Sequence, residues 1–202
     1  MDKYHPPFRG NTFYHVFNHT NGNEDVFREE DNYRFFMEKY EKYISPVAET
    51  MAYCLLKNHF HLLVRVGGVE NADLQGFKNL EGLENLDISR KVSQSFSNLF
   101  NSYSKAYNKK YHRMGSLFVP RVKRLMIDEE EHLRRCTVYI HRNPIHHGFV
   151  EDIRHWPHTS YFKIRNKTNS FIKLEEALSW FGNVETFERA HEMYLDDKSA
   201  FE

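Results

Sequence analysis

The sequence predicts an α+β fold, and three observations carry that reading. Residues 12–19 and 50–56 are strand-like, and 57–66 alternates apolar and polar side chains with the period of a strand. Two longer segments, 28–44 and about 90–111, repeat their apolar residues at helical spacing and separate the strands. A fourth strand at about 117–127 and further helices complete the order β-α-β-β-α-β. That order belongs to a ferredoxin-like or RRM-like antiparallel sheet with helices on one face, followed here by another helix and extra C-terminal helices.

The first strand ends at the turn signal Asn21-Gly22-Asn23. In the first helix Tyr33, Phe36, Met37, Tyr40 and Ile44 form the apolar stripe, and Ser45-Pro46 stops it, because proline pushes its predecessor out of helical conformation. Lys57-Asn58 is short enough to fold the second strand back on the third as a hairpin. In that third strand side chains two apart share a side. Phe60, Leu62, Val64 and Val66 make an apolar face, and His59, His61, Leu63 and Arg65 make the other.

Residues 67–90, polar and with a weak leucine pattern, read as a surface excursion. The second helix carries Val92, Phe96, Leu99, Phe100, Tyr103 and Tyr107 on one stripe. Pro120 gives the fourth strand an edge or irregular start. Asp128 is the expected cap of the next helix, with Glu131 at the capping-box position. Leu133, Thr137 and Ile140 should face the sheet, and Pro144 should end the helix. Helices at about 174–181 and 184–196 follow. Residues 1–165 are expected to form one domain, with 166–202 a helical extension packed on it.

At 202 residues the chain can bury a full core. It has no apolar run of about 18 residues, so no membrane partner is expected. The N-terminus lacks a signal-peptide layout, and Cys54 and Cys136 suit a reduced compartment, so a cytoplasmic location is expected. The 28 basic and 28 acidic residues cancel, but unevenly. Lys105, Lys109, Lys110, Arg113, Arg121, Lys123 and Arg124 share residues 101–127 with no acid, and tyrosines are interleaved among them. This pattern favours a phosphate-tracking, DNA-binding surface over an ordinary solvated face.

Burying His59 and His61 without partners is costly, and together they have the reach to bind one divalent cation. Tyr139 and Asn143, four apart, sit one above the other on their helix. A tyrosine hydroxyl can be a nucleophile and an amide oxygen a metal ligand. Two imidazoles and one oxygen leave coordination positions open, where an ion can polarise a phosphoryl oxygen. Taken alone, the histidines would more often be hydrogen-bonded sheet residues and Tyr139 a packing residue. Tyr103, Tyr107 and Tyr111 are rival nucleophiles, but Tyr103 and Tyr107 continue an apolar stripe and read as core. His132, on the face of Tyr139, is expected within reach of the site. His141, His146, His147, His155 and His158 read as surface or DNA-contacting.

His59-Phe60-His61 fits the His-hydrophobic-His (HUH) signature, inside Leu56-Lys57-Asn58-His59-Phe60-His61-Leu62-Leu63-Val64. The segment from Tyr139 through Asn143-Pro144 to Val150 resembles the tyrosine-bearing helix of REP-associated tyrosine transposases, within the single-tyrosine HUH transposases of insertion sequences. The resemblance extends over most of 12–162, including Asn108 to Phe118 and Trp156 to Tyr161. It implies that His59, His61 and Asn143 bind Mg²⁺ or Mn²⁺, and that Tyr139 attacks a phosphodiester of single-stranded, hairpin-forming palindromic DNA. The product would be a 5′-phosphotyrosine with a free 3′-OH, which another 3′-OH can reverse. Asn143, where insertion-sequence relatives more often carry Gln, favours the REP-associated branch. The resemblance further implies a monomer or homodimer, associated with the nucleoid of a prokaryote. Two rivals stand beside this reading: a hairpin nucleic-acid-binding protein that no longer cuts, and a phosphodiesterase that activates water.

Overall fold

In the computed structural model, which describes residues 3–67, 81–168 and 170–193, four strands form one sheet. Strand β1 (Phe13–His19) lies between β3 (His59–Val66) and β4 (Lys123–Ile127), and β2 (Ala48–Leu55) flanks β3. Every neighbouring pair is antiparallel, and β2 and β3 form the expected hairpin, with a register shift between Thr50 and Ala52. Helix α1 (Glu30–Tyr43) links β1 to β2 across β3, and α2 (Glu81–Lys110) links β3 to β4 across β1. The result is two interleaved split β-α-β units in an α+β fold.

Strand alternation builds two cores, one on each side of the sheet. Tyr14, Val16, Phe60, Leu62, Val64 and Val66 point to the side covered by α1 and α2, where they meet Phe36, Tyr40, Phe96 and Leu99. On the opposite side α3 (Glu130–His146) lies against β2 and β3, packing Leu133, Cys136 and Ile140 on Ala52, Cys54 and Leu63. A 3-10 turn (Ile153–His155) and helices α4 (Tyr161–Arg165), α5 (Leu174–Ser179) and α6 (Val184–Glu192) follow, and Tyr161, Phe181 and Phe187 join this second core. Helix α3 is therefore buried on more than its sheet-facing stripe. Cys54 and Cys136 are free, buried thiols. No helix among the described residues is long and apolar enough to cross a membrane.

The differences from expectation have local causes. Helix α2 begins at Glu81, so the second part of the expected excursion is helix, and 68–80 lie outside the described residues. The last strand shortens to Lys123–Ile127 because Arg121 takes a left-handed φ of 64° just before it; Phe118 instead bridges singly to Thr20. Asp128 does not cap: Glu129 is the N-cap and makes no side-chain cap bond. Helix α3 continues through Pro144 to His146, held by the burial of Asn143 and Pro144, which outweighs proline's local preference. Gly148, at φ +68°, then turns the chain away.

Candidate active site

The alternation that sends Phe60 and Leu62 toward α1 and α2 turns His59 and His61 toward α3. In the β1–β3 register Phe17 pairs with His61 and His15 with Leu63, so His15 and Phe17 share the histidine face. Helix α3 crosses this face with the Tyr139 ring 5.7 Å from that of His61 and 5.8 Å from that of His15, edge-on to both. One turn later Asn143 is fully buried, and its Nδ2 donates to the Tyr139 carbonyl at 3.1 Å. His59 and His61 are 5.1 Å apart between ring centres. His147 lies 4.5 Å from His59, and His146 lies 5.6 Å from Tyr139. The four residues singled out in the sequence thus come together within one chain.

Burial sets the charge state of these imidazoles. Desolvation pushes His15 down to about 3 and His61 well below its ordinary value, with neighbouring histidines adding to the effect on His61. His59 is lowered to about 4, first by burial and then by His147 and His19, while a hydrogen bond with Asn143 opposes the shift. Neutral rings keep a lone pair for a metal. Asn58 Oδ1 lies 2.7 Å from His59 Nδ1 and can only accept from the ring, so Nδ1 carries the proton and Nε2 the lone pair. His61 Nδ1 meets His15 Nε2 at 2.9 Å, which leaves His61 Nε2 as the atom for any other partner.

Two buried polar atoms test the fit to a cation. His61 Nε2 and Asn143 Oδ1 make no well-formed hydrogen bond, although the Asn143 amide also touches the His59 ring. Both are donor atoms that a divalent ion accepts, and the second nitrogens of His59 and His61 are already oriented, as metal-ligating imidazoles require. Among the described residues no three His, Cys, Asp or Glu side chains are grouped to hold a metal. A set of two imidazoles and an amide oxygen lies outside that description. The residues present fit a divalent ion with open positions.

The basic segment divides in space. Lys110 pairs with Glu29 at 2.5 Å, and Arg113 with Glu24 at 2.7 Å while bonding the carbonyls of Gly115 and Ser116. Arg124 is buried, donates to the Pro6 carbonyl at 2.6 Å and lies over the Phe8 ring. Lys123 is half-buried beside the Tyr4 ring. Lys105, Lys109 and Arg121 are exposed and make no ion pair among the described residues. The rival tyrosines are structural: Tyr103 and Tyr107 donate to the carbonyls of Val26 and Asp25, and Tyr111 bonds Glu29. His132 is exposed, whereas His141, expected at the surface, is wholly buried between His191 and Ser160. Sequence reasoning missed His15 and Asn58; strand alternation could have flagged His15, two residues before Phe17.

No family model matches the chain. Over 117 residues, 57% of this chain, it is 27% identical to a Haemophilus influenzae protein named a REP-associated tyrosine transposase, and the match spans 60% of that relative's length. Its fold matches a solved REP-associated tyrosine transposase bound to a REP hairpin, with a TM-score of 0.58 and 15% identity over 85% of this chain and 90% of that one. In sequence and in fold, this chain resembles the REP-associated tyrosine transposases.

Proposed function

We propose that this chain is a metal-dependent tyrosine transesterase that cuts and rejoins hairpin-forming single-stranded DNA. The observation that carries the reading is the Tyr139 ring packed 5.7 Å from His61, with Asn143 one turn further along the same helix. His59 and His61 would hold a divalent ion, Mg²⁺ or Mn²⁺, through Nε2, and Asn143 through Oδ1. When bound, the ion supplies Lewis acidity to a phosphoryl oxygen. Tyr139 Oη gives up its proton to water as it attacks phosphorus, the bond from phosphorus to the 3′ oxygen breaks, and that oxygen takes a proton from water to leave as a free 3′-OH. The resulting 5′-phosphotyrosine keeps the bond energy, so attack by another 3′-OH rejoins strands. Hairpin DNA as substrate is supported by the relative solved with a REP hairpin. Lys105, Lys109, Arg121 and Lys123 are the cations best placed to follow its phosphates. Because Tyr139 and both histidines meet inside one chain, we assign the site to a single chain acting in cis, in a monomer or a homodimer.

A second reading has one observation in its favour. Tyr139 is 2% exposed and Asn143 fully buried, which favours a hairpin-binding role without cleavage because a phosphate has no open path to the hydroxyl. For cleavage, the last turn of α3 must yield to admit a phosphate. The deciding experiment incubates the full chain with labelled single-stranded hairpin DNA and Mn²⁺, then looks for an SDS-resistant adduct. Wild type forms it and Tyr139→Phe does not. An adduct surviving in Tyr139→Phe overturns the mechanism; binding without cleavage selects the second reading, and cleavage without an adduct selects a water nucleophile.

A further inference from the structure

The histidine face of the sheet is covered unevenly. Helix α3 lies over β2 and β3, and Trp180 closes the far end of β1 by packing edge-on to Phe13 at 5.7 Å. At the other end of β1, Phe17 and its neighbours on β4, Lys123 and Leu125, are only half-buried. Phe17 and Leu125 belong to neither hydrophobic core among the described residues. The strip adjoins the candidate site: the Phe17 ring lies 5.7 Å from that of His61 and 4.9 Å from that of His15, within 18° and 28° of parallel. Tyr4 borders it edge-on at 6.3 Å, with the Lys123 ammonium 5.5 Å from the Tyr4 ring.

We propose that Phe17, with Lys123, is a nucleotide subsite that stacks an unpaired base next to the phosphate attacked by Tyr139. The inference rests on the DNA transesterase reading and adds to it where the single strand runs. An aromatic ring on an open sheet face is a sequence-tolerant platform for a base. Charge selects a nucleotide over an apolar peptide, because Lys123 stands directly opposite Phe17 in the β1–β4 register and exposed Arg121 precedes it by two residues. Continuity places that nucleotide beside the reacting phosphate, since Phe17 and His61 are cross-strand partners.

The test uses the full chain and a hairpin oligonucleotide whose short single-stranded flank carries 5-iodo-2′-deoxyuridine, a photo-crosslinker to stacked aromatic rings. Irradiation is expected to attach the flank to the peptide containing Phe17. Phe17→Leu keeps the apolar bulk without the π face; it should lose that crosslink and bind the flanked hairpin about tenfold more weakly. Circular dichroism and the thermal midpoint of the variant show that it is folded, and a folded Phe17→Leu that binds the flanked hairpin less well reports the lost π face. Lys123→Gln should reduce the slope of log affinity against log salt by about one. If wild type binds and forms the Tyr139 adduct while Phe17→Leu binds equally well, or the crosslink falls only elsewhere, the subsite is overturned and the transesterase reading stands. If wild type binds no hairpin DNA at all, the functional reading fails and the subsite with it.

Discussion

His15 Nε2 lies 2.9 Å from His61 Nδ1, and both rings are buried. For His61 to offer Nε2 to a metal, its Nδ1 must carry the proton and donate it to His15, so His15 fixes the tautomer and the ring orientation. Replacing His15 by Leu should therefore weaken Mn²⁺ binding by roughly 10–100-fold although His15 touches no ion itself. Isothermal titration of wild type and variant measures this. Gln at the same position, which can still accept from His61, should recover part of the affinity. Equal Mn²⁺ binding by His15→Leu and wild type would remove His15 from the site.

A bound ion should also be visible as stability. A ligand that binds only the folded state at about 100 times its Kd adds roughly 2.7 kcal/mol, which for a chain of this size raises the thermal midpoint by about 5–10 °C. The expected rise with Mn²⁺ should vanish in His59→Ala/His61→Ala and after chelation. Asn143→Ala should reduce it. Calorimetry across a Mn²⁺ series decides the point, and a rise that persists in the double variant would place the ion elsewhere.

The sheet and the histidine face were legible in the sequence because alternation in His59–Val66 is a local property of one strand. The spacing of Tyr139 and Asn143 put them on one helical face, but that this face meets the histidines was an implication of the family resemblance. Less legible was anything decided by chain segments distant in sequence. Helix α3 continues through Pro144, which the folded chain buries, and His141 is interior because α6, some 50 residues later, supplies His191. The acid-free run 101–127 looked uniformly available for phosphates, yet Glu24 and Glu29, more than 80 residues away, neutralise Arg113 and Lys110.

That division of the basic segment predicts two kinds of variant. Lys105→Gln and Lys109→Gln alter exposed cations, so stability should move by less than about 0.5 kcal/mol. Each should lower the salt slope of DNA binding by about one, as one phosphate is left without its cation. Arg124→Ala removes a buried guanidinium that bonds the Pro6 and Val122 carbonyls and covers Phe8. It should destabilise the fold by roughly 2–4 kcal/mol. Urea unfolding and hairpin-binding titrations on the same preparations separate the two effects. If Arg124→Ala instead kept wild-type stability and lost only DNA affinity, the guanidinium would be a ligand for phosphate.

The C-terminal helices are held by a chain of neutral groups whose protons run one way. His191 Nδ1 donates to the Phe187 carbonyl at 2.7 Å, so its Nε2 accepts from His141 Nδ1 at 2.8 Å, and His141 Nε2 accepts from the Ser160 hydroxyl at 2.7 Å. Burial lowers His191 to about 4, and a second proton on it would leave Nε2–H facing another donor. Its folded-state value lies below the unfolded one, so the unfolded chain takes up the proton first as pH falls. Stability is complete above about pH 6.5 and is lost progressively between there and about pH 4, by roughly 3 kcal/mol from this group. Calorimetric midpoints recorded from pH 7.5 down to pH 4 should show that decline. In His191→Phe the midpoint should be lower at neutral pH, where the hydrogen-bond chain is broken, but flatter across the same range. A wild-type midpoint that does not fall between pH 6.5 and pH 4 would mean that His191 is already charged in the folded protein.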